Sequence, residues 1–227
     1  MKVAICTPTM TRPMPAYLSS LEASVPALDA AGIEHSTVFE IGCPYISAAR
    51  TTTLTKAMKW GADAVVFIDH DIEWEPEALV QLIQTQGDVV SGTYRFKTDE
   101  HVTYMGALVT DPDDHKPMGR KDGCLSAYRI PAGFMKITMQ GVDKFKAAYP
   151  ELVINDGGVD LFNHGVHQGV WYGEDMAFSR RWVDEMKETI WLLPNLNLNH
   201  HDASGNVFKG NFHEFLLRQP GGSECPA

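Results

Sequence analysis

The chain has 227 residues, enough for one sizeable core, and residues 1-227 are expected to form a single domain. Its composition, 44% hydrophobic and 21% charged, is that of an ordinary folded globular protein, and the formal net charge of -10 argues against a nucleic-acid backbone as partner. That balance still admits a small phosphorylated ligand, which needs only local arginines and a metal. Cys6, Cys43, Cys124 and Cys225 have no paired spacing and read as core residues or free thiols rather than a disulfide framework. The opening run Met1–Cys6 is too short for a signal peptide, and no stretch approaches the ~20 apolar residues of a membrane span. A soluble, cytoplasmic protein with no membrane span is therefore expected.

In chain order, Val3–Cys6 reads as a first strand, and Thr7-Pro8-Thr9-Met10-Thr11-Arg12-Pro13 reads as the turn that ends it. A helix follows with Leu18, Leu21, Val25 and Leu28 as its apolar stripe, closing near Gly32. Val38, Phe39 and Ile41 suggest a second strand. Ser47–Trp60 is the next helix, stopped by Gly61, with Arg50, Leu54 and Met58 on the stripe that faces inward. An inward arginine either snorkels to the helix edge or meets an anionic group, and taken alone the first reading is preferred.

Ala64–Ile68 is a continuous apolar run, the signature of a strand buried on both faces of a mostly parallel sheet. It delivers Asp69 and Asp71 at its C-terminal end, where open α/β sheets gather ligands. Two carboxylates one residue apart can reach one hard divalent cation, although short acidic pairs also occur in plain solvated loops. Glu75-Pro76-Glu77 opens a helix with Leu79, Leu82 and Ile83 buried, Gly87 stops it, and Asp88–Tyr94 is another short strand. His101–Val109 is expected to be a strand of a smaller mixed sheet, and Asp111–Gly123 a surface loop. Gly133, inside the apolar run Ile130–Ile137, suggests a close approach to the backbone there, and a helix with Val142, Phe145 and Ala148 follows. Glu151–Gly169 lacks periodicity and reads as a lid or binding loop.

Gly173-Glu174-Asp175 opens a helix striped by Phe178, Trp182 and Met186. Macrodipole complementation accounts for Glu174, but less well for Asp175, which falls on the inward face. Thr189–Pro194 is a further strand. Leu196, Leu198 and His200 then alternate onto one face, His201 and Asp202 follow, and a short Phe212–Leu217 helix precedes a Pro/Gly tail.

Taken together, Ile5–Thr9, Ala48-Ala49-Arg50, Val66–Asp71, Pro131–Met135, Gly173-Glu174-Asp175 and Pro194–His200 stand in an order that resembles small family-2-like glycosyltransferases of GT-A fold, as found in phages, giant viruses and bacteria. The resemblance implies a Rossmann-like α/β fold, with a mostly parallel central sheet flanked by helices. It implies a hexosyl or deoxyhexosyl transferase that takes its sugar from a UDP- or GDP-linked donor to a glycan or other hydroxyl acceptor, with inversion. A divalent metal is implied, manganese in preference to magnesium. Thr7, Pro8 and Thr9 would line the base and ribose, Arg50 would approach the diphosphate, and Asp71 would bind the metal, with Asp69 near the ribose or sharing the ion. His200 would be a late metal or phosphate ligand, with His201 as fallback; Asp175, or else Glu174, would be the general base; Arg180 and Arg181 would compensate phosphate charge. Two positions depart from the pattern: Thr51 stands where an Asn is expected, and no Gly closely follows the late histidine.

Three other readings use the same residues. A nucleotidyltransferase would carry a glycine-rich phosphate loop after the first strand, which Thr7–Arg12 lacks. A metal-dependent hydrolase would draw on His164, His167, His200, His201 and His213, whose spacing matches no known zinc helix motif. A non-catalytic sugar- or nucleotide-binding domain would not need all three acidic positions.

Overall fold

The structure, a computed structural model, describes residues 1–219; the Pro/Gly tail with Cys225 lies outside the described residues. In chain order the first half holds β1 (Lys2–Thr9), α1 (Pro15–Ala30), β2 (Glu34–Ile41), α2 (Ile46–Trp60), β3 (Ala64–Ile68), β4 (Ile72–Trp74), α3 (Pro76–Gln84), β5 (Val89–Ser91) and β6 (Ala107–Leu108). Then come β7 (Leu125–Arg129), β8 (Phe134–Thr138), α4 (Met139–Ala148), β9 (Gly165–His167), β10 (Val170–Tyr172) and α5 (Glu174–Ser179). The chain ends on β11 (Ile190–Leu192), β12 (Leu198–His201), β13 (Val207–Phe208) and α6 (Phe212–Leu217).

An eight-stranded sheet in the order β2-β1-β3-β8-β5-β11-β7-β6 is the centre of the molecule. Strands β2, β1, β3, β5, β11 and β6 run one way, while β8 and β7 run against them. A smaller sheet, β13-β12-β4, and the β9–β10 hairpin are wholly antiparallel. Both faces of the central strands are covered, which is why β3 is apolar at every position. Ala4, Cys6, Val65, Phe67, Met135 and Ile137 turn to one face, beneath α2, α4 and α5. Val3, Ile5, Val66, Ile68 and Phe134 turn to the other, beneath α1, α3 and the smaller sheet. This period-two sorting places each successive residue of a strand in the opposite half of the core.

Several sequence expectations are corrected here. β1 does not stop at Cys6 but runs through Thr7-Pro8-Thr9, because β3 pairs with it only as far as Cys6 while β2 continues alongside to Ile41. Pro8 therefore lacks an N–H only where one side of the strand is already free. The expected His101–Val109 strand shrinks to Ala107–Leu108, and β7, not anticipated at all, pairs between it and β11. Glu151–Gly169 is not a free loop: Val159, Leu161 and Phe162 are core residues, and Gly165–His167 pairs into the hairpin. Cys6 and Cys124 are buried and Cys43 half-buried, all as free thiols.

The inward stripe of α1 is also rotated from the expected one. Tyr17, Ser20, Ser24 and Leu28 are buried, whereas Leu18 and Val25 are exposed. Two serines face the core because Trp74 brings polar groups there. The Trp74 backbone N–H donates to Ser20 Oγ at 3.1 Å and its indole Nε1 donates to Ser24 Oγ at 3.0 Å. Ser24→Ala should leave the indole N–H buried without an acceptor and lower stability by about 1–3 kcal/mol in chemical denaturation, whereas Leu18→Ala should change it by less than about 0.5 kcal/mol.

Candidate active site

Because β8 runs against its neighbours, its first residues lie at the same sheet edge as the last residues of β3 and β5. Asp69 after β3, Gly133 before β8 and Tyr94 after β5 therefore meet. The Asp69 backbone N–H donates to Gly133 O at 3.0 Å, and the Tyr94 hydroxyl lies 3.5 Å from Asp69 Oδ2. A side chain at position 133 would collide with both the Asp69 carboxylate and the Tyr94 hydroxyl, which accounts for the glycine. Burial, then the charge of Asp69, hold the Tyr94 phenol well above its usual pKa, so it stays a neutral donor.

Arg50, one turn into α2, is 1% exposed and does not snorkel. Its Nη2 donates to Asp69 Oδ1 at 2.8 Å and stands 3.9 Å from Glu174 Oε1. The guanidinium lies 5.7 Å from the ring centre of Phe67 and 5.2 Å from that of Phe162. Burial opposes its charge, but Asp69 and Glu174 more than compensate and raise its pKa. Its Nε and Nη1 are buried with no acceptor among the described residues.

Asp71 belongs to a second cluster. Its Oδ2 accepts from Lys97 Nζ at 2.5 Å and stands 3.7 Å from His200 Nε2. Burial would raise the Asp71 pKa, yet His200 and Lys97 pull it well below the usual carboxylate range. The other ring nitrogen of His200, Nδ1, lies 2.8 Å from Arg95 O, and its ring packs edge-on to Tyr94 at 4.8 Å. His201, on the opposite side of β12, instead lies 3.0 Å from Glu73 Oε2. Strand alternation thus places His200 beside Asp71 and removes His201 from it.

Asp175 sits at the start of α5, next to Glu174, and accepts from the Met176 N–H at 2.7 Å. Burial, followed by the charge of Glu174, raises its pKa to about 6. Thr7, Pro8 and Thr9 are buried at the end of β1, and the Thr7 hydroxyl is engaged with Tyr17 at 2.5 Å. Thr51 bonds Ser47 O and Asp160. Arg180 is paired with Glu185, and Arg181 donates to Asn163.

Tyr94, Arg95 and Lys97 escaped the sequence reading. They follow directly on β5, so the rule that drew attention to Asp69 and Asp71, that ligands gather past the C-terminal ends of strands, applies equally to them. A weaker signal hid them: their short strand is followed by mixed polar and aromatic residues rather than by an acidic pair.

No protein-family model matches the chain, and no curated protein matches it. Among solved structures it is similar to a glycosyltransferase involved in the glycosylation of the major capsid of PBCV-1, with a TM-score of 0.36 and 10% identity over 66% of each chain. It is similar to the mannose-1-phosphate geranyltransferase from Thermus thermophilus, with a TM-score of 0.49 and 12% identity over 87% of this chain and 76% of that one. S. aureus TarS 1-349 gives a TM-score of 0.42 and 14% identity over 85% of this chain and 58% of that one. The chain spans slightly under two thirds of the first of these and 58% of the third. At such values these are likenesses of chain path alone; the class follows from the sheet itself, with its same-direction strands, its reversed β8 and its small antiparallel companion. The fold is α/β, with a mostly parallel central sheet and a smaller antiparallel one. Among the described residues, no helix is long and apolar enough to cross a membrane.

The site separates two carboxylates with different surroundings. Asp69→Asn should leave Arg50 buried beside a single acid 3.9 Å away and cost roughly 3–5 kcal/mol in chemical denaturation. Asp71→Asn, whose partners reach solvent, should cost markedly less. Equal losses for the two variants would contradict the assignment.

Proposed function

We propose that this protein is a metal-dependent glycosyltransferase, moving a sugar from a UDP- or GDP-linked donor to a hydroxyl acceptor with inversion at the transferred carbon. The observation that carries the reading is Asp175. It is a carboxylate raised to a pKa of about 6, on the same sheet edge as the buried Arg50 cation. A base poised near neutrality takes a proton from an alcohol better than an ordinary carboxylate does, and general base catalysis as a whole is worth typically ~10²–10⁴ in rate.

Arg50 is closed off from solvent, so its charge would act on a diphosphate through space, and Asp69 with Glu174 keep the guanidinium charged and oriented. Asp71 and His200 are the donors available to a divalent cation. Among the described residues no three His, Cys, Asp or Glu side chains converge to hold one. Two protein donors suit a cation that completes its shell with diphosphate oxygens and water, as magnesium-type sites do. Bound there, manganese or magnesium would neutralise the charge that develops on the departing nucleoside diphosphate. Lys97, now on Asp71, is a second positive group at that position. Asp175 takes the acceptor proton, and a base placed opposite the leaving group corresponds to in-line displacement, hence inversion. The hydrolase reading is less well supported, since His200 and His201 face different carboxylates while His164 and His167 line a separate cavity at the hairpin.

Titration with UDP and GDP in the presence and absence of manganese tests the division of roles. Asp71→Ala should abolish metal-dependent nucleotide binding. Asp175→Asn should keep nucleotide affinity while transfer falls by about two orders of magnitude or more. Loss of nucleotide affinity in Asp175→Asn would refute the assignment.

A pH profile supplies an independent check. Asp175 works only when deprotonated, so kcat/KM should fall tenfold per pH unit below about 6 and level off above it. Glu174→Gln removes the neighbouring charge that helps raise Asp175, so the acid limb should move to lower pH. A limb that stays in place would show that another group titrates.

A further inference from the structure

Beneath the β9–β10 hairpin lies a small cavity of about 120 Å³, lined by Asn163, His164, His167, Tyr172, Arg180 and Arg181, among others. Drug-sized or sugar-nucleotide ligands occupy roughly 300–1,000 Å³, so it is too small for a whole substrate. It has room for roughly four waters, or for one compact polar group. Two consecutive arginines line it. The Arg180 side chain is 8% exposed, Nη1 is held by Glu185, and Nε is buried without an acceptor among the described residues. Arg181 gives Nη1 to Asn163 O at 2.6 Å and Nη2 to Asn163 Oδ1 at 3.2 Å, both neutral acceptors. Burial and then the charge of Arg180 lower the Arg181 pKa, a sign of two crowded cations.

The nearby carboxylates make no direct bond to Arg181. Glu185 accepts from Tyr149 and Arg180 and stands 3.9 Å from His167; Asp160 accepts from Asn163 at 3.0 Å. Two guanidinium groups share one direct carboxylate partner, Glu185, and Arg181 meets only neutral acceptors, so Arg181 is the cation placed to pair with a bound anion. The cavity also shares an element with the base, for Tyr172 and Ala177 in its wall flank Asp175 along the chain.

We propose that this cavity binds a phosphoryl group carried by the acceptor, docked by Arg180 and Arg181 so that the attacking hydroxyl lies toward Asp175. The acceptor is thus a phosphorylated alcohol or glycan, not a neutral one. Its assignment to the acceptor rests on the transferase reading; phosphoryl binding itself does not.

Isothermal titration of the full chain with inorganic phosphate, in chelator and without nucleotide, at constant ionic strength set by chloride, tests the cavity apart from the donor site. The native chain should bind phosphate, and Arg181→Gln should weaken it by about tenfold or more, the loss of charge-assisted bonds. Glu185→Gln should do the opposite and tighten it several-fold, since Arg180 Nη1 is freed from a competing carboxylate. That opposite sign is not expected of a residue that merely supports the fold, and it decides the matter even where Arg181→Gln fails to fold. Phosphate affinity unchanged in Arg181→Gln, or lowered in Glu185→Gln, overturns the proposal. Glycerol 3-phosphate, with glycerol as its uncharged control, then addresses the acceptor. Binding of glycerol 3-phosphate but not glycerol, lost with Arg181→Gln, supports an acceptor site. Arg181-dependent binding of inorganic phosphate alone overturns it.

Discussion

A guanidinium removed from water, and the carboxylates it therefore requires, set the geometry of this molecule. Arg50 is enclosed by the rings of Phe67 and Phe162 and has almost no contact with solvent. Burying an isolated charge costs several kcal/mol, so the fold is stable only if anions are brought to it. Asp69 comes from the end of β3 and Glu174 from the start of α5, two elements more than a hundred residues apart. Joining them at one cation also brings Asp175 to the sheet edge, next to Glu174, where burial and a like charge raise its pKa. The burial of a cation and the raised pKa of Asp175 are consequences of the same pairing.

The reversed strand β8 is the second constraint. With every strand parallel, the edge holding Asp69 would be lined only by strand ends; with β8 inverted, a strand beginning enters between two of them. Gly133 occupies that point, and without a side chain it lets Asp69 and Tyr94 approach across it. Tyr94, neutral and buried, then separates the Arg50 cluster from the Asp71 cluster, touching Asp69 with its hydroxyl and His200 with its ring. Two acids that are near neighbours in sequence so acquire distinct surroundings: one faces a buried cation, the other a lysine and a histidine within reach of solvent.

The smaller sheet and the hairpin complete the edge. β12 pairs with β4, which directly follows Asp71, and the alternation of β12 selects which of two adjacent histidines stands beside that carboxylate. The hairpin leads into α5 and, with Arg180 and Arg181, lines a small cavity, so the segment that read as featureless is part of a built pocket.

Much of this was legible in the sequence because it is local. Apolar runs marked β3 and β5, a glycine marked the end of α2, and the inward position of Arg50 followed from helical spacing. So did the candidacy of Asp69, Asp71, Asp175 and His200, each at the end of an element. The serine face of α1, the extension of β1 through Pro8 and the existence of β7 were not legible, because each depends on a partner distant in sequence: Trp74, β2 and β11. Sequence alone determined the helices and central strands such as α2, β3 and β5 and which charged residues stand at their ends, since periodicity and turn chemistry act within a few residues. Only the tertiary structure decided that Asp69 answers Arg50, that Asp71 answers Lys97 and His200, and that Arg180 and Arg181 share a cavity, since Coulomb attraction and desolvation act through space between segments that chain order does not relate.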